Sequence, residues 1–123
     1  MPVIIASKNR FKGTVNIPSL NTEVTVIEIT GAVDDYLIEG YIDLSALQSG
    51  DKVIVREYIA VDGMNYRIFL NAPFSYPVDE PVIRLHTKTL LYDNKFKVTI
   101  EQIEGTPPRS FPFAFIQEIM GIA

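Results

Sequence analysis

Four groups in this 123-residue chain could carry acid–base, hydrolytic or metal chemistry: Glu57, His86 and the acid pairs Asp34-Asp35 and Asp79-Glu80. His86 is the one histidine, so neither a histidine-based triad nor a multi-histidine metal site can form within one chain. It alternates in phase with Val82 and Arg84 and away from Ile83 and Leu85, which reads as an ordinary polar-face residue. The acid pairs could flank a glycosidic bond or hold Ca²⁺. Neighbouring residues of a strand point to opposite faces, however, and no D-x-D-x-D-G spacing accompanies either pair. Both pairs read as solvated turn acids. Glu57 is the residue that breaks its local pattern, because it falls on an apolar face between Val55 and Ile59. A carboxylate there could act as an acid, or could mark a bulge, a sheet margin or a salt bridge at an interface. Arg56 and Arg84 are its expected partners. The sequence holds no Gly-rich phosphate loop and no cysteine. No catalytic, cofactor-binding or metal residue is assigned, and no enzyme activity is expected.

The elements that would position these groups are strands. β-Branched and aromatic residues dominate, and turn residues recur about every eight to twelve positions, as in a sandwich or barrel. Strands are expected near Phe11–Val15, Glu23–Thr30, Tyr36–Ile42, Lys52–Val61, Met64–Phe74, Val82–Thr87, Lys95–Glu104 and Phe111–Gln117. In Lys95–Gln102, Phe96, Val98 and Ile100 alternate with Lys95, Lys97, Thr99 and Glu101, the mark of a half-buried antiparallel strand. In Glu23–Thr30 the apolar phase slips between Val26 and Ile27, predicting a bulge or burial on both faces. Asp62-Gly63 suits a two-residue type I′ hairpin turn with Val61 opposite Met64. That register places Val53, Val55, Ile59, Val61, Met64, Tyr66, Ile68, Leu70 and Ala72 on a core face. Arg56 then pairs across with Phe69, and Tyr58 with Arg67, on the outer face. Phe111, Phe113 and Phe115 form an apolar stripe at period two, read as core rather than a ligand platform. Pro112 cannot donate a ladder hydrogen bond, so this strand is expected at an edge or starting beyond the pairing. Asp43–Gly50 reads as one short helical turn, capped by Asp43 or Ser45 and stopped by Gly50. The fold class is all-β, an antiparallel β-sandwich of about eight strands, jelly-roll-like.

Composition bounds the function. A net charge of −4 argues against a nucleic-acid phosphate clamp, and no apolar run is long enough for a membrane helix. Met1–Ala6 is too short for a signal peptide, so a soluble, unprocessed chain is expected. The reading is one domain: an arm (1–10), a sandwich (11–118) and an apolar tail (119–123). Chain ends are usually polar and frayed, yet Val3-Ile4-Ile5 and Ile119-Met120-Gly121-Ile122-Ala123 are apolar. They should dock on their own sandwich or on a neighbouring subunit. With the mixed Arg and aromatic face of the hairpin, they define the interface candidates Ile4, Ile5, Arg56, Tyr58, Arg67, Phe69, Ile119, Met120 and Ile122.

Three stretches carry a family resemblance. They are Ala46-Leu47-Gln48-Ser49-Gly50-Asp51 with Arg56-Glu57-Tyr58, then Pro81-Val82-Ile83-Arg84, then Lys97–Gln102 leading to Ser110-Phe111-Pro112-Phe113. Together, over most of Leu44–Gln117, they resemble small uncharacterised β-sandwich proteins encoded beside structural genes in viral and phage-like DNA. The resemblance implies a virion component, such as a minor capsid or capsid-decoration subunit, and carries over no functional residue. The expected function is therefore non-enzymatic assembly, with copies of the same chain, another structural protein, or both as partners. The rival is a β-sandwich module binding carbohydrate or another small ligand through Tyr36, Tyr41, Tyr66 or Tyr92. Tyrosines grouped on one exposed face would favour the rival, and dispersed ones would favour assembly.

Overall fold

The computed structural model describes residues 2–122, and they form eight strands. These are β1 (Val3–Asn16), β2 (Glu23–Ile29), β3 (Tyr36–Asp43), β4 (Lys52–Ala60), β5 (Arg67–Ser75), β6 (Val82–Leu90), β7 (Lys95–Glu104) and β8 (Ser110–Ile122). Every pairing is antiparallel, and the pairs nest: β1 with β8, β2 with β7, β3 with β6, β4 with β5. The chain is thus one long hairpin doubled back on itself and rolled up. Additional β3–β8 and β4–β7 ladders join the pairs into two four-stranded sheets, β1-β8-β3-β6 and β2-β7-β4-β5. That nesting is the jelly roll.

Alternation builds the core between the sheets. Val53 and Val55 of β4, Phe96, Val98 and Ile100 of β7, and Ile38 and Ile42 of β3 are buried, as are Phe111 and Phe115 of β8. The Phe111–Phe115 stripe is core as expected, with Phe113 packed at its margin. In β2 the pairing shifts between Thr25 and Ile27 where the apolar phase slips, and both Val26 and Ile27 are buried.

Four details differ from the sequence reading. The Asp43–Gly50 helical turn is instead two successive turns. Leu47 N donates to Leu44 O at 3.1 Å, Asp51 N donates to Gln48 O at 2.9 Å, and Asp43 Oδ1 caps Ser45 N. The segment dips to bury both Leu44 and Leu47. β8 is not an edge strand but lies between β1 and β3. Pro112 is accommodated because β8 pairs with β3 only from Phe113 onward.

The β4–β5 hairpin is also looser than a type I′ turn. Asp62 does not have positive φ, whereas Gly63 does (77°). The Asp62 carboxylate accepts bonds from Met64 N, Asn65 N and Asn65 Nδ2, stabilising a longer Asx-type loop. Pairing therefore starts at Ile59–Arg67, and Val55 sits opposite Ala72 rather than Leu70. Fourth, β5 is an edge strand on which Ile68 and Leu70 are exposed instead of buried, as are Val61 and Met64 in the loop that precedes it.

Candidate assembly surfaces and the seam between the sheets

The chain ends form one element. β1 starts at Val3, not Phe11, because the arm pairs continuously with the end of β8, from Val3–Ile122 through Asn16–Ser110, with one bulge between Ile5 and Ser7. β3 joins β8 only up to Tyr36–Ile119, so beyond that point the ribbon is two-stranded. Its anchor there is Met120 N donating to Asp35 O. Register places Val3, Ile5, Met120 and Ile122 on one face of this extension, with Ile4 and Gly121 on the other. Val3 and Ile122 are 68% and 67% exposed, and Ile4 and Ile5 are exposed as well. Ile119, expected with them at an interface, is instead part of the chain's own core at 8% exposure. Met1 and Ala123, the outermost residues of arm and tail, lie outside the described residues.

On the outer face of the β2-β7-β4-β5 sheet, the expected Arg56–Phe69 and Tyr58–Arg67 pairs do not form. The changed register places Arg56 opposite Asn71 and Tyr58 opposite Ile68. Arg56 turns instead to β7 and β2, bonding Glu101 at 2.8 Å and standing 3.5 Å from Glu23. Glu23 and Glu101 sit directly opposite each other, a like-charge pair that Arg56 bridges. Glu23 also accepts hydrogen bonds from Tyr58 and Thr99. Burial pushes the Glu23 carboxyl up, but the Thr99 and Tyr58 hydroxyls and the Arg56 and Lys97 charges outweigh it and hold it below the ordinary range. Beside this cluster the Lys97 ammonium lies 4.9 Å from the Tyr58 ring and 4.6 Å from the Tyr66 ring, and Tyr66 donates to Glu28 at 2.8 Å. The face is polar and internally satisfied. Arg67 is exposed at the start of β5.

Glu57 does face the interior, at 2% exposure, and it does sit at a bulge, since the β4–β5 register shifts between Glu57 and Tyr58. Its partner is neither Arg56 nor Arg84. Lys88 Nζ of the opposite sheet lies 2.8 Å from Glu57 Oε1, in ion-pair contact without hydrogen-bond alignment, and donates to the His86 carbonyl. Arg84 is spent on Glu39, at 3.0 Å. Lys88 reaches inward because β6 has its own irregularity: the β3–β6 register shifts between Ile38 and Gly40, leaving His86 and Thr87 opposite the single Glu39. In β5 the residue left over by its bulge is Phe69, whose ring lies 5.3 Å from Lys88 Nζ and is 58% exposed. Two bulges thus meet at the seam between edge strands β5 and β6. Between them lies a pocket of about 220 Å³, open to solvent and lined by Glu57, Phe69, Leu85 and Lys88 among others. No local feature of the sequence marks Lys88, because its inward turn depends on a bulge in a polar run.

The remaining candidates are dispersed. His86 is exposed, and among the described residues no three His, Asp, Glu or Cys side chains converge as a metal site. Asp34 accepts from Asp35 N, and Asp35 accepts from Tyr92 N, so this pair ties loops together. Asp79 and Glu80 are exposed in the β5–β6 loop. Tyr36 is fully buried, donating to Asn94 O at 2.6 Å, and burial raises its phenol to about 12. Tyr41 lies on the outer face of β3, Tyr66 on that of the opposite sheet, and Tyr92 in the β6–β7 loop.

No family model matches the chain, and no curated protein matches it. Among solved structures it is similar to VP2 in the crystal structure of the infectious bursal disease virus VP2 subviral particle. The two are 11% identical with a TM-score of 0.48, over 96% of this chain and 32% of that one. The chain therefore spans about a third of the length of that viral protein.

Proposed function

We propose that this protein is a non-enzymatic structural subunit of a virion, of the minor capsid or decoration type, that assembles with copies of itself through its β1–β8 ribbon. The observation that carries this reading is the two-stranded extension presenting Val3, Ile5, Met120 and Ile122 on one face. An isolated two-stranded ribbon is marginal in water. Covering an exposed apolar side chain contributes about 1.5–3 kcal/mol, so exposed Val3, Ile5 and Ile122, with half-buried Met120 beside them, favour a neighbour over solvent. In this reading the arm (1–10) and tail (119–123) act as one docking element on the sandwich (11–118). Phe69 and Arg67 on the free β5 edge give a second, smaller contact. The virion context rests on the resemblance of the Leu44–Gln117 stretches.

The dispersed tyrosines weigh against a carbohydrate or small-ligand module. The acids considered for hydrolysis do not converge: Glu57 is paired with Lys88, Asp34 and Asp35 accept loop amides, and Asp79 and Glu80 lie exposed in the β5–β6 loop. Hydrogen exchange at two protein concentrations tests the proposal. The amides of Val3–Ile5 and Met120–Ile122 should gain protection at the higher concentration. Exchange of these amides that is fast at both would remove the ribbon from any self-interface.

A further inference from the structure

β1 is an edge strand, hydrogen-bonded to β8 on one side only. Along it Lys8, Arg10 and Lys12 recur at every second residue, so all three project from the outer face. β1 holds no acid, in a chain whose net charge is −4, so the rest of the molecule is more acidic than the total. Across the one neighbouring strand Lys8 meets an acid, Glu118, whereas Arg10 and Lys12 meet only Ile116 and Ala114. Neither cation has an ion-pair partner among the described residues, and Glu39, which shares their shallow outer depression, is taken by Arg84. On the inner face of the same strand, Phe11 is only half-buried against the core. The free edge thus asks for two things at once: acids in step with the cations, and an apolar side chain one residue out of step to finish covering Phe11.

We infer that the free edge of β1 over Lys8–Lys12 binds an extended segment of another protein in which acidic and apolar residues alternate, added as a further strand of the sheet. Strand geometry makes the match specific. Alternate side chains on a strand repeat about every 6.6–6.8 Å, and directly opposed side chains lie about 4.5–5.5 Å apart. Acids at period two therefore meet all three cations at once, while the free N–H and C=O groups of β1 supply the ladder. A second copy does not fit this role. Antiparallel β1–β1 pairing sets cation against cation. The chain's other edge strands offer no such alternation either: β6 carries Arg84, His86 and Lys88, β5 starts with Arg67, and the β2 acids Glu23 and Glu28 already have partners. The inference is independent of the apolar ribbon end.

The test is fluorescence anisotropy with a short, labelled, capped peptide alternating glutamate with valine, against the full chain. Controls are a peptide of the same composition with its glutamates in one block and an alternating lysine–valine peptide. The alternating acidic peptide should bind at least tenfold tighter than either control, and its affinity should fall steeply with salt. Arg10→Glu/Lys12→Glu should weaken it at least tenfold, with circular dichroism unchanged. The milder Arg10→Gln/Lys12→Gln pair serves if the reversal unfolds the chain. Bound peptide should slow amide exchange within Asn9–Gly13. Equal binding of the blocked peptide, full binding by both variants, or no binding at low salt would overturn the inference. So would reversal variants that dissociate the chain from itself without any peptide binding. Repeating the titration on the Ile5→Glu/Ile122→Glu ribbon variant separates the two surfaces, because peptide binding should survive there even if self-assembly does not.

Discussion

Gly40 shows how tightly single residues are specified between these sheets. It sits directly opposite Phe115 on the core side of β3, and a Cβ there would enter the Phe115 ring and the Ala114 carbonyl. Gly40→Ala should destabilise the fold by about 1–3 kcal/mol through overpacking, read as a lower urea midpoint at unchanged slope. Glu57 and Lys88 form the other decisive contact. Removing one partner strands a charge with almost no access to water. Glu57→Leu or Lys88→Met alone should therefore cost about 3–5 kcal/mol, while the double change to Leu and Met should recover most of that loss. Additive losses in the double variant would mean that the pair is not coupled. The sequence marked Glu57 through its misfit among Val55 and Ile59 but left a bulge, a sheet margin and an interface salt bridge open; the bulge is what forms, with the carboxylate buried. Lys88 was illegible because its direction is decided by the irregularity at His86–Thr87, which no local pattern encodes.

At the level of elements, period-two alternation made β7, β8 and the lower half of β4 legible, and the slipped phase of β2 located its bulge. What alternation cannot reveal is which strands lie at the edges. β5 has the composition of a core strand, yet its place at the end of the β2-β7-β4-β5 sheet leaves Ile68, Phe69 and Leu70 exposed. The hairpin tip was misread for a different reason: the Asp62 side chain competes for backbone donors and replaces the tight turn. Those same bonds, from Asn65 first and then Met64, draw the Asp62 carboxyl down from 3.8 to about 2. Its folded value is depressed, so the contribution of Asp62 is complete above about pH 4 and is lost as pH falls through about 2. Amide protection of Met64 and Asn65 should persist to about pH 2 and then collapse. In Asp62→Ala it should be absent at every pH, and a wild-type collapse near pH 4 would contradict the assignment.

For the whole molecule, nested pairing of eight strands brings the two chain ends together as one ribbon and leaves it jutting past β3. Strand count and alternation pointed to the sandwich. The joining of arm and tail did not follow from the sequence, because it depends on strand order, which a single chain does not display. Burial of Tyr36, with its phenol raised to about 12, adds a global signature. The neutral phenol is favoured in the fold, so its contribution is complete below about pH 10 and is lost as pH rises toward 12. Tyr36→Phe should shrink this alkaline loss while costing about 1 kcal/mol at neutral pH, for the bond to Asn94. Whether the apolar face of the ribbon joins copies of the chain is a question for the assembled molecule. Its most direct test is solution mass by light scattering across a concentration series, for the native chain and for Ile5→Glu/Ile122→Glu, two exposed positions whose change leaves the core intact. The native chain should be an oligomer and the variant a folded monomer, with association weakened at least a hundredfold. A native chain that stays monomeric throughout, or an oligomer indifferent to the two glutamates, would contradict assembly through this face.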